Sequence, residues 1–177
     1  MEHSIRHHYE KDGVVNFYKK HGSIYCNPHE EGIKKAVNVW INENERPSKI
    51  IDLACGGGEV TRVFQPLGTT ILGIDPFTTE LYEKRTGLKA LPLSFENIEE
   101  NGLPENLKAD AIFCSFALHL TEESRLPRLL WQLSQAAKKL VVITPHKKPN
   151  INCFWDLQSE YYDDTHRVRM RTYQSRY

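Results

Sequence analysis

Residues 50–62 read IIDLACGGGEVTR: a short apolar run holding one acid, then three consecutive glycines. Val60, Val63, Phe64 and Leu67 follow at helical spacing. A strand that exits through a glycine turn into a helix commits the chain to a crossover, because two parallel strands are joined only by a long connection. The rest of the sequence repeats that unit. Strands are expected at 49–53, 70–74, 88–93, 111–115 and 140–144. Between them lie a short helix at 78–87, closed by Gly87, and a helix carrying Leu126, Leu129, Leu130 and Leu133, with Ser124 as its N-cap and Pro127 in its first turn. An earlier helix buries Ile33, Ala36, Val37, Trp40 and Ile41.

Strands that are apolar throughout and alternate with helices predict an α/β fold, a doubly wound, mostly parallel sheet with helices on both faces. A helix lined by Phe154, Trp155, Leu157 and Tyr161 and a short antiparallel strand over 166–173 are expected at the C-terminus. A single domain, 1–177, is expected, with 1–30 as an N-terminal cap segment, 31–150 as the ligand-binding core and 151–177 as the C-terminal helix and strand.

Composition narrows the function classes. The 23 basic and 23 acidic residues cancel, so general phosphate attraction is not the basis of binding, and nucleic acid is an unfavoured partner. No apolar h-region opens the chain and no run of 18 apolar residues occurs, which predicts no membrane association and a cytoplasmic protein, with the nucleus as the other compartment. Cys26, Cys55, Cys114 and Cys153 form no CxxC pair, and His3, His7 and His8 lack carboxylate or thiol partners, so no metal is expected. Arg167, Arg169, Arg171 and Arg176 with Lys147 and Lys148 make a basic cluster; it reads as charged protection of an edge strand rather than as a phosphate site.

In an open parallel sheet, ligands bind at the carboxyl ends of the strands. A phosphate-cradling GxxxxGK[ST] loop is disfavoured because no Lys-Ser or Lys-Thr follows the glycines. The dinucleotide pattern GxGxxG is broken by Thr61 at its third position. The residues that remain, DLACGGG over 52–58 with Asp75 ending the next strand 17 residues after Gly58, resemble the first two motifs of the class I S-adenosylmethionine-dependent methyltransferases, a Rossmann-like family, and within it the small type 11/25-like domains. Ala54 stands where that pattern has its first glycine; Gly56 and Gly58 match.

The resemblance implies S-adenosyl-L-methionine as cofactor, held by Asp52, Ala54, Gly56, Gly58, Asp75 and Pro76, with Asp75 taking the ribose hydroxyls. It implies that Phe95 and Glu96 flank adenine, Glu96 compensating for Ser94 where relatives carry an aspartate that accepts from the amino group. DAIFCSFALHL, 110–120, is similar to the fourth motif, so Ser115 and Phe116 are expected beside the reacting methyl and His119 as the catalytic base, with Tyr25 of the cap segment a further cofactor contact. The implied activity is methyl transfer by in-line displacement to a small-molecule acceptor. A protein or RNA acceptor and a non-catalytic role beside a partner subunit are the alternatives; Ser115-Phe116-Ala117-Leu118 stands where methylation of nucleobase or glutamine amino groups uses Asn/Asp-Pro-Pro-Tyr.

Overall fold

The structure, a computed structural model, describes residues 27–177. Helix α1, Glu30–Glu43, starts where the side chain of Asn27 accepts a hydrogen bond from the backbone N–H of His29 at 2.9 Å. Its buried stripe, Ile33, Ala36, Val37 and Trp40, follows the predicted period. Strand β1, Lys49–Leu53, enters the glycine turn, and a single turn of helix α2, Thr61–Phe64, continues into a 3-10 turn, Gln65–Leu67. Then come β2, Thr70–Ile74; α3, Thr79–Thr86; β3, Ala90–Leu91; α4, Phe95–Asn101; β4, Ala109–Ser115; a 3-10 turn, Leu118–Leu120; α5, Leu126–Ser134; β5, Ala137–Thr144; β6, Trp155–Asp163; and β7, Val168–Ser175.

The seven strands form one sheet in the order β3-β2-β1-β4-β5-β7-β6. β1 to β5 pair in parallel; β7 runs antiparallel to both β5 and β6. Successive side chains of a strand face opposite sides, so Ile50 and Ile51 separate into different cores. Ile51, Ile112, Leu140 and Val142 pack with Ile98 of α4 and Leu129, Leu130 and Leu133 of α5. Ile50, Phe113, Val141 and Ile143 pack with Ile33, Val37 and Trp40 of α1 and Phe64 of α2. On that second face Trp40, Phe64 and Phe113 meet edge to face, with centroids 5.0 to 6.4 Å apart.

Four expectations change. The C-terminal helix is instead β6: its backbone groups pair with β7 across a bulge between Leu157 and Ser159, Trp155 is buried and donates its indole N–H to Leu130 O at 3.0 Å, and Leu157 stays 55% exposed. Long-range pairing prevailed over a helical spacing of aromatics. β7 is therefore an interior strand, and Arg169 and Arg171 are paired with Glu160 of β6 rather than lining a free edge. β3 shrinks to two residues because Pro92 follows it and Leu93 N–H turns back to Leu91 O at 2.9 Å. Helix α5 starts at Leu126 after Arg125, without a side-chain cap from Ser124.

Candidate functional site

At the carboxyl ends of β1, β2 and β4 the chain leaves a cleft of about 300 Å³. Ala54, Gly56, Asp75, Pro76, Phe95, Glu96, Ser115 and Phe116 all line it, so eight residues singled out in the sequence come together. Asp75 organises the floor. Its Oδ2 accepts from Gly56 N–H at 3.2 Å, and its Oδ1 accepts from Phe77 and Thr78 N–H at 2.8 and 3.0 Å. A carboxylate offers about four lone-pair sites, so this one braces two loops and retains acceptor capacity toward the cleft.

Ala54 and Phe116 take left-handed backbone conformations, φ 55° and 54°, at the ends of neighbouring strands. Such a conformation costs a non-glycine residue about 1–2 kcal/mol, and residues held in it cluster at binding sites. Phe116 is fixed by its N–H, which donates to Ile143 O at 2.7 Å, and by stacking on His29 at 4.6 Å. Asn27 seats the same end of the cleft against the start of α1.

Asp52 and Gly58 do not line the cleft and are engaged within the loop. Asp52 is fully buried beneath the turn, where its Oδ2 accepts from Thr61 N–H at 3.1 Å and from Thr61 Oγ1 at 2.7 Å, while Oδ1 has no partner among the described residues. Thr61, the residue that breaks the dinucleotide pattern, thus ties the acid to the first turn of α2 and meets Tyr82 Oη at 2.9 Å. Burial pushes the Asp52 carboxyl up to about 8. Gly58 has φ 80°, and a β-carbon there would lie 2.4 Å from Thr86 Cγ2, so it is the close approach of α3 that requires glycine.

His119 stands behind the cleft wall, not in it. Its Nδ1 is 3.5 Å from Thr144 Oγ1 and its ring lies 5.0 Å from that of His146. Burial, and then the neighbouring His146, lowers its pKa to about 4, which holds the imidazole neutral and makes it a weak base. Tyr25 lies outside the described residues.

The sequence reading missed Glu59, Glu99, Thr121 and Arg125. Glu59 is buried at the cleft with Arg85 Nη1 3.3 Å away; burial raises its pKa against the opposing pull of that guanidinium. Arg85 also grips Glu30, as does Arg62, so α1, the glycine turn and α3 share one charge network. Arg125 lines the cleft and bonds Glu96 and Glu99. A capping box in 94–97 was the available signal for α4 and hence for Glu99; no spacing rule links Arg125 to acids 26 and 29 residues away.

Residues 29–173 match the family described as a methyltransferase domain. An uncharacterised protein of Schizosaccharomyces pombe is 32% identical over 195 residues, covering 86% of this chain and 78% of that protein. The ubiquinone biosynthesis O-methyltransferase of Pseudomonas fluorescens is 24% identical over 132 residues, 69% of this chain and 56% of that enzyme. Among solved structures, magnesium protoporphyrin IX methyltransferase of Synechocystis with bound S-adenosylmethionine superposes with a TM-score of 0.66 at 12% identity, covering 97% of this chain and 95% of that one. At that identity the likeness is one of fold.

Proposed function

The chain belongs to the methyltransferase-domain family, and from that premise we propose that it methylates a small-molecule acceptor by in-line displacement, the acceptor approaching at the Asn27, Ser115 and Phe116 end of the cleft. The family's cofactor, S-adenosylmethionine, supplies a methyl group on a cationic sulfonium together with an adenosine. The residues present fit such a ligand. Asp75 keeps acceptor capacity for vicinal hydroxyls, Phe77, Leu93 and Phe95 offer apolar walls to a flat ring, and among the described residues of the lining the carboxylates of Asp75, Glu96, Glu99 and Glu122 outnumber the guanidinium of Arg125, Glu59 being paired with Arg85. That imbalance suits a cationic ligand.

The observation that carries the reading is the gathering of Ala54, Gly56, Asp75, Ser115 and Phe116, from three separate strand ends, around one hollow. In-line displacement depends on alignment more than on acid or base strength. The braced loops and the locked Phe116 supply that alignment: Gly56 cannot move without Asp75, nor Phe116 without β5. His119, neutral and weakly basic, is proposed to position the turn after β4 through Thr144, while the acceptor arrives already nucleophilic, as a thiolate, carboxylate, phenolate or free amine. The small-molecule class is supported by the size of the cleft, by the balance of charge in the sequence and by similarity to an enzyme of ubiquinone biosynthesis. Calorimetric titration with S-adenosylhomocysteine, followed by a methyl-release assay over small thiols, phenols, carboxylates and amines, tests it. Turnover of protein or RNA alone would refute the acceptor class.

A further inference from the structure

Of the four histidines among the described residues, one is paired with an acid: His166 Nδ1 lies 2.6 Å from Asp163 Oδ2, and Asp163 also holds Lys35. The other three meet at the Phe116 end of the cleft, carried there by three elements. His29 precedes α1, His119 lies in the 3-10 turn after β4, and His146 follows β5. The His29 ring stacks on Phe116 at 4.6 Å, the rings of His119 and His146 are 5.0 Å apart, and His146 opposes positive charge on both of the others. Thr144 ties two of them together, its Oγ1 accepting from His146 N–H at 3.2 Å and standing 3.5 Å from His119 Nδ1. No carboxylate among the described residues is paired with any of the three. The acids of the surrounding elements are engaged elsewhere, Glu30 with Arg62 and Arg85 and Glu123 with Lys148, or, like Glu31, Glu122 and Asp164, are exposed. Lys147 and Arg167, both exposed, add positive charge to this rim.

Three imidazoles in one place without an acid form a receptor for negative charge. A neutral imidazole donates one N–H and a charged one donates two. Burial holds His29 and His119 below the ordinary histidine value; at His29 the backbone of His166 opposes that effect and His146 adds to it, and at His119 His146 adds to it. An anion placed among them would reverse that balance and draw protons onto the rings. The cleft thus has two unlike ends, carboxylates of Asp75, Glu96 and Glu99 at one and imidazoles beyond Phe116 at the other. We infer that the methyl acceptor is a small organic acid, its carboxylate anchored by His29 and His146 beside Phe116 and its reacting atom directed past Ser115 toward the donor methyl. A carboxylate whose lone pairs accept from imidazole N–H groups is a poor nucleophile, so the methyl goes to a second group of the same molecule, a thiol, phenol or amine. There the new bond to carbon forms as the carbon–sulfur bond breaks, the sulfur keeps the electron pair, and the proton of the acceptor group passes to water. The inference rests on the methyltransferase reading and narrows its acceptor class.

The test uses the full chain saturated with S-adenosylhomocysteine and titrated calorimetrically with 4-mercaptobenzoate, 4-hydroxybenzoate, 4-aminobenzoate and 3-mercaptopropionate, each against its own carboxamide. At least one acid should bind about tenfold more tightly than its amide, because hydrogen bonds to a charged group are the stronger ones. Its binding should take up protons at pH 7, seen as a difference in heat between phosphate and Tris buffers. His146→Gln, at an exposed position, should shrink the acid-to-amide ratio by at least about threefold and reduce the proton uptake, whereas Lys148→Gln, which loses only its pair with Glu123, should leave both unchanged. With S-adenosylmethionine the preferred acid should be turned over with its carboxylate intact. Amides that bind as well as their acids, a ratio that His146→Gln leaves unchanged or that Lys148→Gln alters equally, or a methyl ester as the product each overturn the inference, while binding of S-adenosylhomocysteine leaves the cofactor reading standing. Failure to bind S-adenosylhomocysteine overturns both.

Discussion

Replacing Asp52 with asparagine should flatten the protein's stability between pH 6 and pH 8. In the folded chain burial holds the carboxyl near 8, with smaller contributions from Glu59 and Asp75 opposing the two bonds from Thr61. Unfolded, the group returns to the ordinary aspartate value of about 3.9. Between those values the folded state keeps a proton that the unfolded state has lost, so stability is fully present below about pH 4 and declines as pH rises, by about 1.4 kcal/mol per unit until the folded group itself titrates. From pH 6 to pH 8 the loss is about 2 kcal/mol. Asparagine has nearly the same shape, keeps an oxygen for Thr61 N–H and carries no charge to bury, so this contribution disappears in Asp52→Asn. The assay is urea unfolding of both proteins at the two pH values, followed by tryptophan fluorescence and extrapolated linearly. The informative quantity is the difference between the two pH slopes, which removes histidine titration common to both. Equal slopes in wild type and variant would show that Asp52 is ionised in the folded state and refute the reasoning.

Asp75→Ala should do more than weaken ribose recognition: with three backbone N–H groups left behind, stability should fall by about 2–4 kcal/mol, read by thermal melting, and a melt within about 1 kcal/mol of wild type would deny the carboxylate its bracing role. Gly58→Ala meets both the 2.4 Å approach of Thr86 and a positive φ, so about 2–4 kcal/mol should be lost and affinity for S-adenosylhomocysteine should drop with it; undisturbed binding would mean the turn yields easily. His119 has a folded pKa lowered to about 4 from 6.5, so its contribution to stability is present above about pH 6.5 and is lost as pH falls toward 4. Discounted for partial exposure this is about 1–2 kcal/mol, and His119→Asn should resist acid better in melts at pH 5 and pH 7.5. Identical acid losses in the two proteins would remove His119 from the account.

The parallel core was legible because β1, β4 and β5 are buried over most of their length and carry apolar runs, while Leu126, Leu129, Leu130 and Leu133 repeat at the helical period. Asp75 was legible for a similar reason: an acid at a strand exit, after a glycine turn, has few places to go. The misreadings occurred where long-range pairing decides. Phe154, Trp155, Leu157 and Tyr161 have a helical spacing, yet β7 offers a full ladder of backbone partners, and the strand forms. Helix α4 lies in a polar stretch with one inward stripe, Ile98 and Glu99, too little apolar signal to announce itself. Pattern and position mark Asp52, but that it bonds Thr61 beneath the turn and does not line the cleft follows only from the packing of Thr61 and Tyr82 around it, which no local pattern carries.

The excess of carboxylates around the cleft bears on turnover. Methyl transfer turns a sulfonium into a neutral thioether, so the spent cofactor leaves with one positive charge fewer than the fresh one brought. Among the described residues of the lining, Asp75, Glu96, Glu99 and Glu122 face the guanidinium of Arg125, Glu59 being paired with Arg85, and that excess attracts the first more than the second. The same electrostatics that recruit the donor therefore loosen the by-product, and the cleft is biased toward emptying after each cycle rather than stalling on what it has already used.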